Sequence, residues 1–196
     1  MGKLTFRPLT KDEWPALEAL FGANGACAGC WCMYWRLPKG EWKGPQSQRN
    51  ARNKVKFRRL VASGPAPGLL AFDGDTAVGW VATAPRAEFP ALERSRFLRS
   101  VDEESVWSMP CFYIKSGYRG RGIMRALVAA AVGHAAGAGA RIVEAYPVDT
   151  EKRLSAASAY TGAASSFRRA GFKTVARRSA HRPIDRKAVR GRRKSK

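Results

Sequence analysis

The sequence predicts one mixed α/β (α+β) domain in which helices cover both faces of a central sheet. Three observations lead to this fold class. The chain has 196 residues, which is enough for one buried core and few for two. Strand-like and helix-like segments alternate along it. A glycine-rich turn at residues 117–122 joins an apolar strand pattern directly to an apolar helix pattern.

The first third of the chain predicts one strand, two helices and a long loop. Residues 4–7 alternate apolar and polar side chains, as a strand does. Thr10 and Glu13 have the spacing of a capping box, which predicts the start of a helix. A loop rich in Gly, Cys and aromatic residues follows (residues 25–44, the cysteine loop). A second helix is then predicted over residues 47–62.

The middle of the chain predicts a β-hairpin and a long strand. Residues 69–72 and 77–84 flank a turn of Asp and Gly residues, which is typical of a hairpin. Residues 106–115 have the pattern of a third strand, but Pro110 has no N–H to donate to a ladder. This strand is therefore predicted to lie at an edge or to contain a bulge. Residues 86–104 fit a helix plus a loop.

The last third predicts alternating helices and strands, at residues 123–136, 141–146, 161–170 and 172–177. The complete order is β-α-α-β-β-β-α-β-α-β. We assign residues 1–185 to this one domain. Residues 186–196 contain many Lys and Arg residues, no acid and no apolar periodicity, so they are predicted to form a disordered basic tail.

The composition is strongly basic, with a formal net charge of +21 that attracts polyanions whatever the fold. The cations concentrate in the tail and in the second helix. The N-terminus lacks a signal-peptide pattern and no apolar run approaches the length of a membrane span, so we expect a soluble cytoplasmic protein without membrane contact. In that compartment the four cysteines are expected to be reduced.

The glycine-rich turn is the segment most suggestive of chemistry. The first amides of a helix have no intrahelical acceptor and lie at the positive end of the helix dipole, which suits a phosphate group. Glycines let the backbone approach such a ligand closely. The turn lacks the Gly-Lys-Ser/Thr ending of a P-loop, and it lies too late in the chain for a dinucleotide-binding unit.

A hairpin precedes the strand, turn and helix, and Ala170-Gly171-Phe172 follows them. Together these segments resemble the GNAT superfamily of N-acetyltransferases. Arg119, Gly122 and Met124 occupy the first, fourth and sixth positions of the family signature Gln/Arg-x-x-Gly-x-Gly/Ala, where Met124 replaces a small residue. The element order also matches. The resemblance covers most of the chain, excluding the cysteine loop, residues 86–104 and the tail.

The resemblance implies direct transfer of the acetyl group of acetyl-CoA to a primary amine, on a GNAT-like sheet. The acceptor is left open among a small amine, an antibiotic, a peptide N-terminus and a lysine, and the assembly between a monomer and a homodimer. The residues that the resemblance assigns to acetyl-CoA binding are Phe112, Ile114, Arg119, Gly120, Arg121, Gly122, Ile123 and Met124.

Two positions depart from the family pattern and affect the catalytic assignment. Phe167 stands where many members place a tyrosine that protonates the departing thiolate, so Tyr160 is the candidate general acid. Ser108 occupies the strand position at which the family often has a glutamate base. Glu104, before that residue, is the candidate base acting through water. The catalytic candidates are therefore Glu104, Ser108 and Tyr160.

The cysteine loop has two interpretations. Zinc would need a fourth ligand besides Cys27, Cys30 and Cys32, and one such spacing without a matching pair is weak evidence. We therefore favour packed thiols and predict no metal site. The fold implied by the resemblance places this loop near the acceptor cleft, so its aromatic residues are predicted to line the substrate pocket: Trp31, Tyr34 and Trp35.

The alternative function is a basic nucleic-acid- or ribosome-binding protein that retains an acyltransferase fold. The cationic helix and tail favour weak nucleic-acid contact. Phe57 is the only aromatic residue within that helix, so no stacking platform is evident. Polyanion binding of this kind would fall steeply with salt, whereas binding of CoA to turn amides would be less sensitive.

Overall fold

The computed structural model describes residues 2–150 and 159–189. Seven strands form one sheet: β1 (Thr5–Pro8), β2 (Gly68–Asp73), β3 (Thr76–Pro85), β4 (Trp107–Ile114), β5 (Ile142–Ala145), β6 (Lys173–Arg177) and β7 (Pro183–Ala188). The α-helices are α1 (Trp14–Phe21), α2 (Gln46–Ser63), the single turn α3 (Pro90–Glu93), α4 (Ile123–Gly137) and α5 (Ala164–Arg169). Within the described ranges, no helix is both long and apolar enough to cross a membrane.

The strand order across the sheet is β1-β2-β3-β4-β5-β7-β6, and β4 and β5 are its parallel pair. That pair is short. It joins Trp107, Ser108 and Met109 to Val143, Glu144 and Ala145, and then ends, although β4 continues to Ile114. One edge of β4 over residues 110–114 is therefore not paired with β5. We call the gap beside this edge the splay.

Pro110 lies where the splay begins, and its effect on the sheet explains why. Ala82 of β3 faces Cys111, whereas Ala84 faces Ser108, so Thr83 alone faces two residues of β4. This is the bulge predicted from Pro110. The alternative prediction of an edge strand was wrong, because β4 lies in the middle of the sheet. Proline is tolerated there because the missing N–H coincides with the bulge.

Helices pack on both faces of the sheet, as predicted. One face carries α1, α2 and the cysteine loop over an aromatic core that contains Trp80, Phe72 and Tyr146. The other carries α4 and α5 over Val81, Met109 and other apolar residues. The alternation of side chains along β3 explains this division, since successive residues point to opposite faces.

Three details refine or correct the sequence-based expectation. The sequence patterns predict no strand after β6, but β7 follows it. Arg186 and Lys187, which are predicted to lie in the basic tail, therefore belong to the sheet. The rest of that tail, from residue 190, lies outside the described residues. Residues 86–104 contain a helix and a loop, as expected, but the helix is the single turn α3 and a 3-10 turn precedes it. The capping box is also absent: α1 begins at Trp14 without a side-chain cap, and Glu13 accepts a hydrogen bond from Arg7 instead.

Candidate functional site

The glycine-rich turn ends in a helix whose first amides are free. Gly120 and Gly122 have φ of 77° and 78°, in the left-handed region that glycine adopts without strain. The first intrahelical hydrogen bond of α4 runs from Ala126 N to Gly122 O, at 3.2 Å. The amides of residues 123–125 consequently have no intrahelical acceptor, and no side chain caps the helix. They form a preorganised donor set for an anion.

The side chains of the turn leave these amides accessible. Arg119 Nε donates to Ile114 O at 3.1 Å, which ties the turn to the end of β4. Arg121 lies over the ring of Tyr118. Met124 points away from the turn toward Gly162, where an added Cβ would lie 1.9 Å from the Met124 Cε. The larger residue at the sixth signature position therefore packs against the neighbouring segment and does not fill the turn.

The backbone of β4 presents further donors to the splay. Lys115 N donates to Val78 O at 3.0 Å, which makes these two residues a hydrogen-bonded pair of the antiparallel ladder. Because such pairs alternate along a ladder, the N–H groups of Phe112 and Ile114 face away from β3 and toward the splay. An extended polar chain lying in the splay finds donors there in the manner of an added strand.

A buried charge network lies where β4 and β5 are still paired. The Glu144 carboxylate, which is not exposed to solvent, accepts hydrogen bonds from Arg86 Nη1 (2.5 Å), Arg186 Nε (2.6 Å) and Tyr146 OH (2.7 Å). Ser108 Oγ lies 2.6 Å from the same Tyr146 hydroxyl. Burial, followed by the charge of Glu144, raises the pKa of Tyr146 well above its usual value, so the phenol stays protonated.

A second polar group lies beside the free edge of β4. The 3-10 turn Ala159–Thr161 packs against β4 and carries Tyr160, which is 36% exposed. Burial raises the pKa of Tyr160, and the ionisable groups that act on it include Arg182, Tyr34 and Cys111. We call Tyr34, Cys111, Tyr160 and Arg182 the tyrosine–arginine cluster. Its members come from four separate segments of the chain.

The cysteines of the loop meet β4 at this cluster. Cys32 Sγ and Cys111 Sγ are 3.6 Å apart, and Trp80 Nε1 donates to Cys32 Sγ. The hydrogen bond with Cys32 and burial raise the pKa of Cys111 well above its usual value, and burial raises the pKa of Cys30 to about 12. The Cys30 and Cys111 thiols therefore lack thiolate character at neutral pH. Among the described residues, no group of three or more His, Cys, Asp or Glu side chains has metal-binding geometry.

Comparison with known proteins assigns the family. The family model described as the acetyltransferase (GNAT) family matches residues 24–161, which is more than half of the chain. The chain belongs to the GNAT acetyltransferase family. No curated protein sequence matches this GNAT chain.

Solved structures agree with the GNAT fold. The PaiA N-acetyltransferase of Thermoplasma acidophilum, in complex with coenzyme A, is 15% identical; the similarity covers 96% of this chain and 100% of that one, with a TM-score of 0.55. A polyamine N-acetyltransferase of Drosophila melanogaster is 12% identical over 96% and 100% of the two chains, with a TM-score of 0.54. At these identities the likeness concerns the fold.

All eight residues predicted to bind acetyl-CoA lie in one part of this GNAT structure. Phe112 and Ile114 are on the free edge of β4, and the other six form the turn and the start of α4. Turn and edge adjoin through the hydrogen bond of Arg119. The residues of the sequence motif therefore lie on one continuous surface of N–H donors. The N–H groups that face the splay are evident only from the sheet register.

Two of the three predicted catalytic residues are not placed at the splay. Ser108 lies on the paired part of β4, is fully buried and contacts Tyr146, so an acceptor amine does not reach it. Glu104 is exposed in the loop before β4, at the end of that strand opposite to the splay. Counting residues along the strand does not tell the two ends of β4 apart. Tyr160 does lie beside the free edge.

The aromatic residues of the cysteine loop have different roles. Trp31 is 2% exposed, stacks on Trp14 with ring centroids 5.7 Å apart, and lines a surface cavity of about 280 Å³ with Asn50 and Lys54. Tyr34 belongs to the tyrosine–arginine cluster. Trp35, Tyr34 and the exposed Trp42 line a separate surface cavity of about 400 Å³. Spacing along the sequence did not distinguish these positions because the loop has no regular period.

Four of the six cationic side chains of the basic helix α2 bind groups within the protein. Arg52 donates to the carbonyl oxygens of Glu41 and Lys43, and Arg49 to those of Ala28 and Gly44. Two lysines form ion pairs, Lys54 with Glu18 and Lys56 with Glu41. Phe57 is fully buried. The helix thus fixes the cysteine loop, and its described contacts favour this structural role over the predicted nucleic-acid contact.

Proposed function

We propose that this GNAT protein transfers the acetyl group of acetyl-CoA to the nitrogen of an amine by direct attack. The observation that carries the proposal is the continuous donor surface formed by the α4 amides and the free edge of β4. The pyrophosphate of acetyl-CoA suits the amides at the start of α4, and the extended, amide-containing arm of acetyl-CoA suits the splay. Family membership and the coenzyme A complex of a structural neighbour support this assignment.

Acetyl-CoA supplies a thioester whose carbonyl carbon accepts the amine. A bond from nitrogen to that carbon forms and the carbon–sulfur bond breaks, so the nitrogen must lose a proton and the sulfur must gain one. The N–H groups of Phe112 and Ile114 face the splay and are suited to stabilise negative charge on the carbonyl oxygen. Tyr160, kept protonated by its raised pKa, is suited to donate the proton to sulfur.

The binding step is tested by thermal unfolding at moderate salt, with ATP as a polyanion control. At a concentration about 100-fold above its dissociation constant, acetyl-CoA is expected to stabilise the protein by about 2.7 kcal/mol. For a domain of this size the Tm rises by roughly 5–10 °C. A rise with acetyl-CoA that ATP does not match supports the proposal. Equal shifts, or none, reject it and favour a basic polyanion-binding protein.

The role of Tyr160 is tested by Tyr160→Phe. Removing the proton donor is expected to lower kcat by about 10²- to 10⁴-fold, because general acid catalysis contributes on that scale, and to leave acetyl-CoA binding unchanged. Tyr34→Phe is the matched control, since it removes a hydroxyl from the same cluster and is expected to change kcat less than threefold. Full activity of Tyr160→Phe would show that water, and not Tyr160, protonates the thiolate.

A further inference from the structure

Arg182 is a half-buried cation for which the described structure provides no acid. It lies between β6 and β7, and its Nη1 donates to Thr161 Oγ1 at 3.1 Å. Among the described residues, no carboxylate forms an ion pair with it. In the two adjoining strands, Arg177 pairs with Asp149 at 2.6 Å and Arg186 pairs with Glu144 and Asp102, whereas Arg178 donates to backbone carbonyls. Burial lowers the pKa of Arg182, because the surroundings disfavour its charge.

The position of Arg182 connects it to the splay. The chain segment that contains it is fixed to the end of β5, since Asp149 N donates to His181 O at 3.0 Å. Its hydrogen-bond partner Thr161 belongs to the 3-10 turn that packs against β4. The ionisable side chains that influence it are the phenols of Tyr34 and Tyr160. Arg182 therefore lies beside the place where the acceptor nitrogen must meet the thioester.

The charge of this cluster selects among acceptors. Its described members are a guanidinium, two phenols and a thiol, with no carboxylate among them. A polycationic acceptor gains no ion pair there and meets a like charge. An anion gains a charge-assisted hydrogen bond with a guanidinium that is already partly desolvated.

We propose that the acceptor is an amine that also carries an anionic group, a carboxylate or a phosphate, and that Arg182 binds this group beside the splay. The proposal names the substrate class of the acetyl transfer proposed above and rests on it. It requires no residue of the acetyl-CoA surface, so the two proposals fail separately.

The test compares paired amines that differ in charge. L-α-Amino acids are compared with their α-carboxamides, and O-phosphoethanolamine with ethanolamine. Binding to the protein alone and with CoA is measured by calorimetry, and transfer from acetyl-CoA by release of free thiol. At least one anionic member is expected to exceed its neutral partner by about tenfold or more in affinity and in kcat/KM. The arm that shows this preference identifies carboxylate or phosphate as the recognised group.

Two variants link that preference to Arg182. Arg182→Gln is expected to bring the members of the preferred pair within about twofold of each other, and Arg182→Lys to retain part of the preference because it keeps the charge. Unchanged affinity for CoA shows that Arg182→Gln is folded. Equal binding of both members by the parent protein, or a preference that survives Arg182→Gln, overturns the inference. Failure of acetyl-CoA to bind rejects the proposed function instead, and the binding comparison without it still decides the role of Arg182.

Discussion

Gly122→Val is expected to reduce the affinity for acetyl-CoA by about 100-fold or more while the protein remains folded. In the free protein a Cβ at Gly122 would meet no atom within 4 Å, so the substitution causes no clash. The cost to folding is the strain of a β-branched residue at φ 78°, about 1–3 kcal/mol. The added methyl groups would instead occupy space beside the free amides of α4, where phosphate oxygens must approach to about 2.9 Å.

Gly139→Val provides the matched control for this experiment. Gly139 also has a positive φ, of 91°, and an open Cβ position, but it lies beyond the other end of α4. Both variants should lose similar stability in denaturant titrations, whereas calorimetry should detect lost acetyl-CoA binding for Gly122→Val alone. If the two variants bind acetyl-CoA equally well, the turn is not the phosphate site and the proposed function loses its main support.

Glu144→Gln is expected to destabilise the protein by about 3–5 kcal/mol, the usual cost of removing one partner from a buried ion pair. The substitution keeps the shape of the side chain but leaves Arg86 and Arg186 without the buried negative charge between them. At roughly 2–4 °C per kcal/mol for a chain of this length, Tm falls by about 6–20 °C. Calorimetric unfolding gives the value directly.

An exposed ion pair serves as the control that shows whether the loss of stability in Glu144→Gln is due to burial of the charge. Glu13 pairs with Arg7 at 3.2 Å, and the two side chains are 22% and 45% exposed. Glu13→Gln removes the same charge and is expected to cost less than about 1 kcal/mol, since water screens such pairs. A loss of similar size in both variants would mean that net charge, and not the buried network, controls stability.

Much of the fold follows from local sequence patterns. Apolar periodicity gave α1, α2 and α4, and the Asp-Gly turn gave the hairpin of β2 and β3, because these elements depend on neighbours close in the chain. The strand β7 was missed because its stability comes from distant partners. Its Arg186 resembles a tail residue until Glu144 and Asp102 are brought to it by the fold.

The candidate site was predictable to the extent that it is continuous in sequence. Residues 119–124 form one turn, and their glycines record the backbone conformation directly. The tyrosine–arginine cluster is assembled from four segments, so no spacing identifies it. Arg182 carries no signal in the sequence, since it is one of 36 Lys and Arg residues and its half-buried place beside Thr161 is evident only in the fold.

The shortness of the contact between β4 and β5 has a consequence for mutational screens. Three residue pairs attach the last three strands to the first four, and Ser108, Glu144 and Tyr146 lie at or next to those pairs. Substitutions there would weaken this junction within the sheet without touching the reacting atoms. A screen for inactive variants would therefore return them together with true participants in the chemistry. Variants with a weakened junction would recover activity at low temperature, because their loss is one of stability. Variants that lack a proton donor would not recover activity on cooling.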